Sequence, residues 1–201
     1  RLPGLRISRS NAVLEALVPT ILEQKVQGIA AKRSYRALVC AWGEPAPGPP
    51  GRAGLMLPPT PQLLAGTPSY AFHPFGVQRK RADAIRRACS YAHRLEETTT
   101  MAGTDAQRRL CALPGVGRWS AAEVAMVALG DPDAVSVGDY HLPHDVSWAL
   151  AGEPRGTDER MLELLEPFAG HRGRVIRLLV AGGLRAPRRG PRLPMHSIAE
   201  I

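Results

Sequence analysis

Five residues, Leu113-Pro114-Gly115-Val116-Gly117, separate two stretches of helical periodicity at 105–112 and 118–129, and they restrict the chain more than any other feature. Proline presets the backbone at the entry, and glycines on either side of one apolar residue open backbone conformations closed to side-chain-bearing residues. The segment can be neither one continuous helix nor a strand. It reads as a helix, a tight hairpin and a second helix beginning at Arg118. In such a turn the amides of Gly115 and Gly117 point outwards at the positive end of the following helix, an arrangement suited to a phosphate. The same pattern also serves as an ordinary connection between two helices.

The remainder of the chain is patterned for helices. Val13, Leu14, Leu17, Val18, Ile21, Leu22, Val26 and Ile29 recur three and four residues apart, with Ser10 or Asn11 as candidate caps and a break or kink expected at Pro19. Tyr35, Leu38, Val39 and Trp42 continue a second segment as far as Gly43, and 44–61 reads as a Pro/Gly-rich loop. Short turns follow at 61–64 and 69–72. A basic helix is expected over 78–95, with Ala82, Ile85, Ala88, Cys89 and Ala92 inward and Arg79, Lys80, Arg81, Arg86 and Arg87 outward. Further helices are expected over 140–151, 157–168 (capped by Thr157) and 172–181, the last closed by Gly182-Gly183. Residues 134–137 are too few for a convincing sheet. The fold class is all-α.

With 26 Lys and Arg against 18 Asp and Glu, the net charge is +8, which favours a polyanionic partner. Arg172, Arg174, Arg177, Arg185, Arg188, Arg189 and Arg192 lie in a stretch without an acid between Glu166 and Glu200, either facing phosphate or solvated. Cys40, Cys89 and Cys111 fit neither a metal knuckle nor a disulfide framework, so a reduced, cytoplasmic protein is expected. No apolar run approaches the roughly 18 residues of a membrane span. His141 and His144 have a spacing that can pair on a metal, but no ligand cluster accompanies them. The first residue is Arg1, which suggests a fragment whose upstream part is not in view.

Asp139 stands 22 residues after Gly117, within Val135-Ser136-Val137-Gly138-Asp139-Tyr140-His141. On its own it reads equally as an N-cap of the next helix. The pair LPGVGRWSAAE and VSVGDYH, however, resembles the signature of the helix-hairpin-helix, Gly/Pro-rich loop and Asp (GPD) superfamily of DNA glycosylases. Trp119 and Gly-Asp-Tyr look most like the 3-methyladenine DNA glycosylase II branch. That resemblance implies two helical lobes with a DNA-binding cleft between them: a larger one at 10–131 and a smaller one at 132–201 together with 1–9. Many relatives carry a further α/β domain upstream, and none is expected within residues 1–201.

The resemblance further implies base-excision repair. A damaged nucleotide is flipped out of double-stranded DNA, and its base is released by hydrolysis to leave an abasic site. Asp139 is the expected catalytic carboxylate, stabilising positive charge on the sugar or activating water. Trp119, Glu123 and Tyr140 are the expected base pocket; Trp119 can otherwise be a core tryptophan, and Glu123 can simply face solvent. Gly115, Val116, Gly117, Arg118, Gln24 and Lys25 are the expected DNA contacts, with Gln24 able to fill the gap left by the flipped base. Relatives that also cleave the strand carry a lysine where this chain has Trp119, so a monofunctional enzyme acting as a monomer is expected. No organic cofactor is implied, only a monovalent cation, sodium or potassium, on the main-chain carbonyls of Cys111, Leu113 and Val116. The alternatives are the same fold acting on oxidised or deaminated bases, or a non-catalytic DNA-binding module.

Overall fold

A computed structural model of the chain describes residues 2, 4–48 and 54–187. Arg188, Arg189 and Arg192 of the basic C-terminal stretch lie outside these. The described residues form α1 (Val13–Glu23), α2 (Gly28–Trp42), α3 (Pro61–Gly66), α4 (Arg79–Ser90), α5 (Ala92–Glu96), α6 (Gly103–Cys111), α7 (Arg118–Val124), α8 (Leu142–Ala151), α9 (Asp158–Leu165) and α10 (Arg172–Ala181). A single two-residue ladder, Glu44–Pro45 against Met56–Leu57, lies within the expected loop and leaves the class all-α. None of the described helices is long and apolar enough to cross a membrane.

α1 passes through Pro19 without the expected break. A proline inside a helix costs about 3 kcal/mol, whereas each large aliphatic side chain buried returns about 1.5–3 kcal/mol. Val13, Leu17, Ile21 and Leu22 are all essentially inaccessible, so packing outweighs the missing N–H. The chain turns instead after Glu23, where Lys25 adopts φ +55°. The expected N-terminal caps are also replaced. Ser10 reaches only the Ala12 amide, while the carboxylate of Glu96, at the end of α5, accepts from Val13 N (3.0 Å) and Leu14 N (2.9 Å). A carboxylate at the positive end of a helix gains from both the orphan amides and the dipole. Glu96→Ala is expected to lower stability by about 1–2 kcal/mol, read as a thermal melt shifted down by a few degrees, with Glu96→Gln retaining part of the cap.

Glu96 reaches α1 because the basic helix expected over 78–95 is interrupted at Tyr91 (φ −106°, ψ 21°), giving α4 and α5. Its charged face is also smaller than expected. Arg81 is only 8% exposed and donates to the Leu22 carbonyl near the C-terminus of α1, so it belongs to the core and not to a phosphate-binding surface.

Two main cores result. The larger gathers α1 to α7 around Phe72, which Trp42 meets edge-on with ring centroids 5.0 Å apart. The smaller joins α8, α9 and α10 through Val146, Met161, Leu165 and Ile176. α7 is the wall between them: Ala121 and Val124 face the larger core, whereas Ala122 and its successors Ala125 and Met126 pack with Ala134 on the other side. Beyond Val124 the helix continues as a π-helical turn over Ala125–Leu129, so the helical run expected over 118–129 is present with a wider second half.

A short connection fastens the two cores. The Asp133 carboxylate accepts from the Arg172 backbone amide (3.0 Å) and from its guanidinium through Nε (2.8 Å) and Nη2, and this pairing holds the Asp133 carboxyl below its ordinary range. At Gly173 a Cβ would stand 2.6 Å from the Ala134 carbonyl oxygen, so only glycine lets α10 approach this closely. The N-terminal segment is tied to the larger unit, where Arg9 bonds to the Thr99 carbonyl and Ser10 N and Asn11 N reach Val127 O and Ala128 O.

Candidate active site

The hairpin's two glycines do different things. Gly115 has φ +100°, and a Cβ there would lie 2.8 Å from that of Ala84, so conformation and close packing both require glycine. Gly117 is extended (φ −99°, ψ −178°), with nothing within 4 Å of a built Cβ. Of the two glycines only Gly115 uses a backbone conformation closed to other residues, whereas Gly117 leaves open space at the helix start. The Val116 side chain is 5% exposed and packs into the larger core, which limits this residue's contribution to a ligand to its backbone. Among the described residues the amides of Gly115 and Gly117 meet no protein acceptor, whereas Val116 N closes the turn onto Leu113 O at 2.9 Å.

Gln24 ties the turn after α1 to this hairpin. Its amide nitrogen donates to the Gly115 carbonyl and the Ser120 hydroxyl, each at 2.9 Å, which engages its side chain within the protein. Lys25, exposed in the same turn, and exposed Arg118 therefore lie on the hairpin's side of the molecule. Arg87 of α4, placed only on a basic face by its spacing, donates to the Pro114 carbonyl at 2.8 Å.

The carbonyls of Cys111 and Val116 accept no hydrogen bond among the described residues, and that of Leu113 accepts one. Lone pairs thus remain on all three, which is compatible with a monovalent cation.

Asp139 serves two purposes at once. One carboxylate oxygen accepts from the His141 and Leu142 amides, both at 2.8 Å, at the start of α8. The other accepts from the Trp119 indole N–H at 3.1 Å. The capping reading and the site reading are thus compatible, since each uses a different oxygen. Half-buried Trp119 reaches Asp139 because it begins α7, directly after the hairpin, and its indole edge crosses to the loop that precedes α8.

Asp139 borders a cavity of about 160 Å³ between α7, the 136–142 loop, α8 and α10. Glu123, one turn beyond Trp119, lines it and bonds to the Ser136 hydroxyl. Burial pushes the Glu123 carboxyl above its ordinary range, opposed by Ser136 and the more distant Arg177 charge, and reinforced by Asp139 and Glu23. Tyr140 is elsewhere. Its side chain is 80% exposed and meets the edge of His141, and it is His141 that lines the cavity. His144 Nδ1 accepts from the Gly156 amide, and no cluster of three metal-ligating side chains occurs among the described residues. Sequence reasoning missed Ser136, Asp145, Ile176 and Arg177 as lining residues. Only Ser136, next to the Gly-Asp motif, had a local signal.

No protein-family model matches the chain. Solved structures share its architecture: a 3-methyladenine DNA glycosylase from Archaeoglobus fulgidus superposes with a TM-score of 0.71 at 21% identity, covering 83% of this chain and 57% of that one. A Schizosaccharomyces pombe 3-methyladenine DNA glycosylase (Mag1), in complex with abasic DNA, gives 0.71 at 17% identity over 87% and 82%. With its hairpin and following aspartate placed as described, the chain has the fold of the helix-hairpin-helix GPD superfamily of DNA glycosylases. In sequence it is similar to the 3-methyladenine DNA glycosylase II branch, being 35% identical over 143 residues to a probable bifunctional transcriptional activator/DNA repair enzyme AlkA of Mycobacterium tuberculosis. That match covers 70% of this chain and 28% of the relative's length.

Proposed function

We propose that the chain is a monofunctional DNA glycosylase of alkylation repair, working as a monomer in the cytoplasm. It would flip damaged purines such as 3-methyladenine out of duplex DNA and release them by hydrolysis. The observation that carries this reading is the Asp139 carboxylate, held by the Trp119 indole and the first amides of α8 at the rim of the cavity. The names of the similar proteins support the same chemistry.

The physical sequence runs from grip to cleavage. Unpaired amides of Gly115 and Gly117, the start of α7, and the Lys25, Arg87 and Arg118 side chains hold phosphates without reading sequence. A monovalent cation on the carbonyls of Cys111, Leu113 and Val116 would add positive charge beside a phosphate. Flipping costs a few kcal/mol and least for a damaged base, so selection starts before the cavity is entered. As the glycosidic bond lengthens, positive charge develops on the deoxyribose. A carboxylate fixed in advance stabilises it without reorganisation and can take a proton from the attacking water. No lysine lines the cavity, which supports hydrolysis over a Schiff-base route.

The test is mass detection of free base from methylated duplex DNA, with 8-oxoguanine and uracil duplexes as comparison. Release of 3-methyladenine is expected; release of oxidised or deaminated bases alone would favour the other lesion class, and binding with no release would favour a DNA-binding module. Duplex affinity is expected to fall with salt, at a log–log slope of about −0.9 for each phosphate contacted. A salt-independent affinity would remove the phosphate clamp.

A further inference from the structure

Three carboxyl groups line the small cavity beside Asp139; that of Asp145 is paired with Arg185, and the surroundings of the other two are opposite. Asp139 is surrounded by donors: three N–H groups point at its two oxygens. Glu123 meets a single hydroxyl, that of Ser136, which can donate to a carboxylate or accept from a carboxylic acid. No cation stands within ion-pair distance of Glu123 among the described residues. Arg185 is committed to Asp145 at 2.7 Å, and Arg177 of α10 acts only at longer range. His141, at the start of α8, also lines this space, while Glu23, at the end of α1, acts on Glu123 only through its charge. The volume is comparable to cavities of about 150 Å³ known to take one aromatic ring, so it has room for part of a base, and Asp139 and Glu123 both line it.

We infer that Glu123 is a general acid, which protonates a ring nitrogen of a neutral purine as it leaves while Asp139 serves the sugar on the other side. The inference rests on the proposed glycosylase reading. The C1′–N bond breaks with its electron pair passing to the base. The Glu123 Oε–H proton moves to a ring nitrogen, so that the base departs neutral. Water supplies the new C1′–O bond and gives one proton to Asp139, and return of that proton through solvent restores the Glu123 acid. The sum is hydrolysis, with no other reactant. Cationic bases such as N3-methylated adenine need no proton to leave, and for them the acid function of Glu123 is not called on. A carboxyl raised by burial suits this task because it keeps its proton closer to neutral pH.

The experiment compares single-turnover release of 3-methyladenine, a leaving base that stays cationic over the pH range used, with that of hypoxanthine and 1,N6-ethenoadenine, which are neutral. It uses the wild-type chain and Glu123→Gln between about pH 6 and 9, where general acid catalysis is worth about 10²–10⁴-fold. Neutral-base release is expected to fall at least about 100-fold further than cationic-base release in Glu123→Gln, the difference between the two classes being the readout. In the wild type the ratio of neutral to cationic release should decline as pH rises and the protonated fraction of Glu123 is lost, a readout that does not depend on the variant folding. An equal loss for both classes, a ratio flat with pH, or release of cationic bases alone would each overturn the role of Glu123. Wild-type failure to release either class would overturn the glycosylase reading itself.

Discussion

Asp139→Asn should abolish base release while leaving the fold and duplex binding intact. Asparagine keeps a carbonyl oxygen for the His141 and Leu142 amides, and it is as good a helix cap as aspartate. It loses the negative charge and sets an amide N–H₂ against the Trp119 N–H, replacing an attraction by two opposed donors. Loss of one preorganised electrostatic partner commonly costs about 10²–10³ in rate, and a reduction of that order is expected in single-turnover release. Asp139→Ala separates the two uses of the residue. It should show the same loss of activity and also an earlier thermal melt, by about 0.5–2 kcal/mol, because the cap is gone. Unchanged turnover in Asp139→Asn would leave this carboxylate with the capping role alone.

The hairpin offers a second large contrast. Gly115→Val should destabilise the chain by about 2–5 kcal/mol. A left-handed conformation costs a side-chain-bearing residue about 1–3 kcal/mol, and the Cβ would also be driven into Ala84. Gly117→Leu, by contrast, should melt within about 1 kcal/mol of the parent, because its backbone is extended and its surroundings are empty. Its effect should appear in duplex affinity, since the side chain fills the space where a phosphate would approach the α7 amides; a loss of about tenfold or more, measured by fluorescence anisotropy, is expected. Undiminished affinity in Gly117→Leu would place the bound strand elsewhere.

How much of this was legible in the sequence depends on how local the physics is. The hairpin, the long helical run from Arg118, the Thr157 cap and the 172–181 helix are written in neighbouring residues, and they are found where expected. Pro19 was misleading because a local rule was outweighed by burial against distant helices. The α1 cap was unreadable because its donor of charge, Glu96, comes from more than eighty positions away in the chain. Arg81 shows the same limit: helical spacing placed it among exposed arginines, but a neighbouring helix end draws it inside. At the site, the link between Trp119 and Asp139 joins two motifs already noticed. Tyr140 failed because a position beside a catalytic candidate says nothing about the direction its ring takes, and here it turns to solvent. Arg177 and Ile176 carry no distinguishing pattern until α10 is folded against α7 and α8.

The fastening of Arg172 and Gly173 onto Asp133 and Ala134 has a mechanical consequence. The pairing anchors the first turn of α10 to the segment that follows α7, so the side of the cavity that α10 supplies is held in register with Asp139 before anything enters.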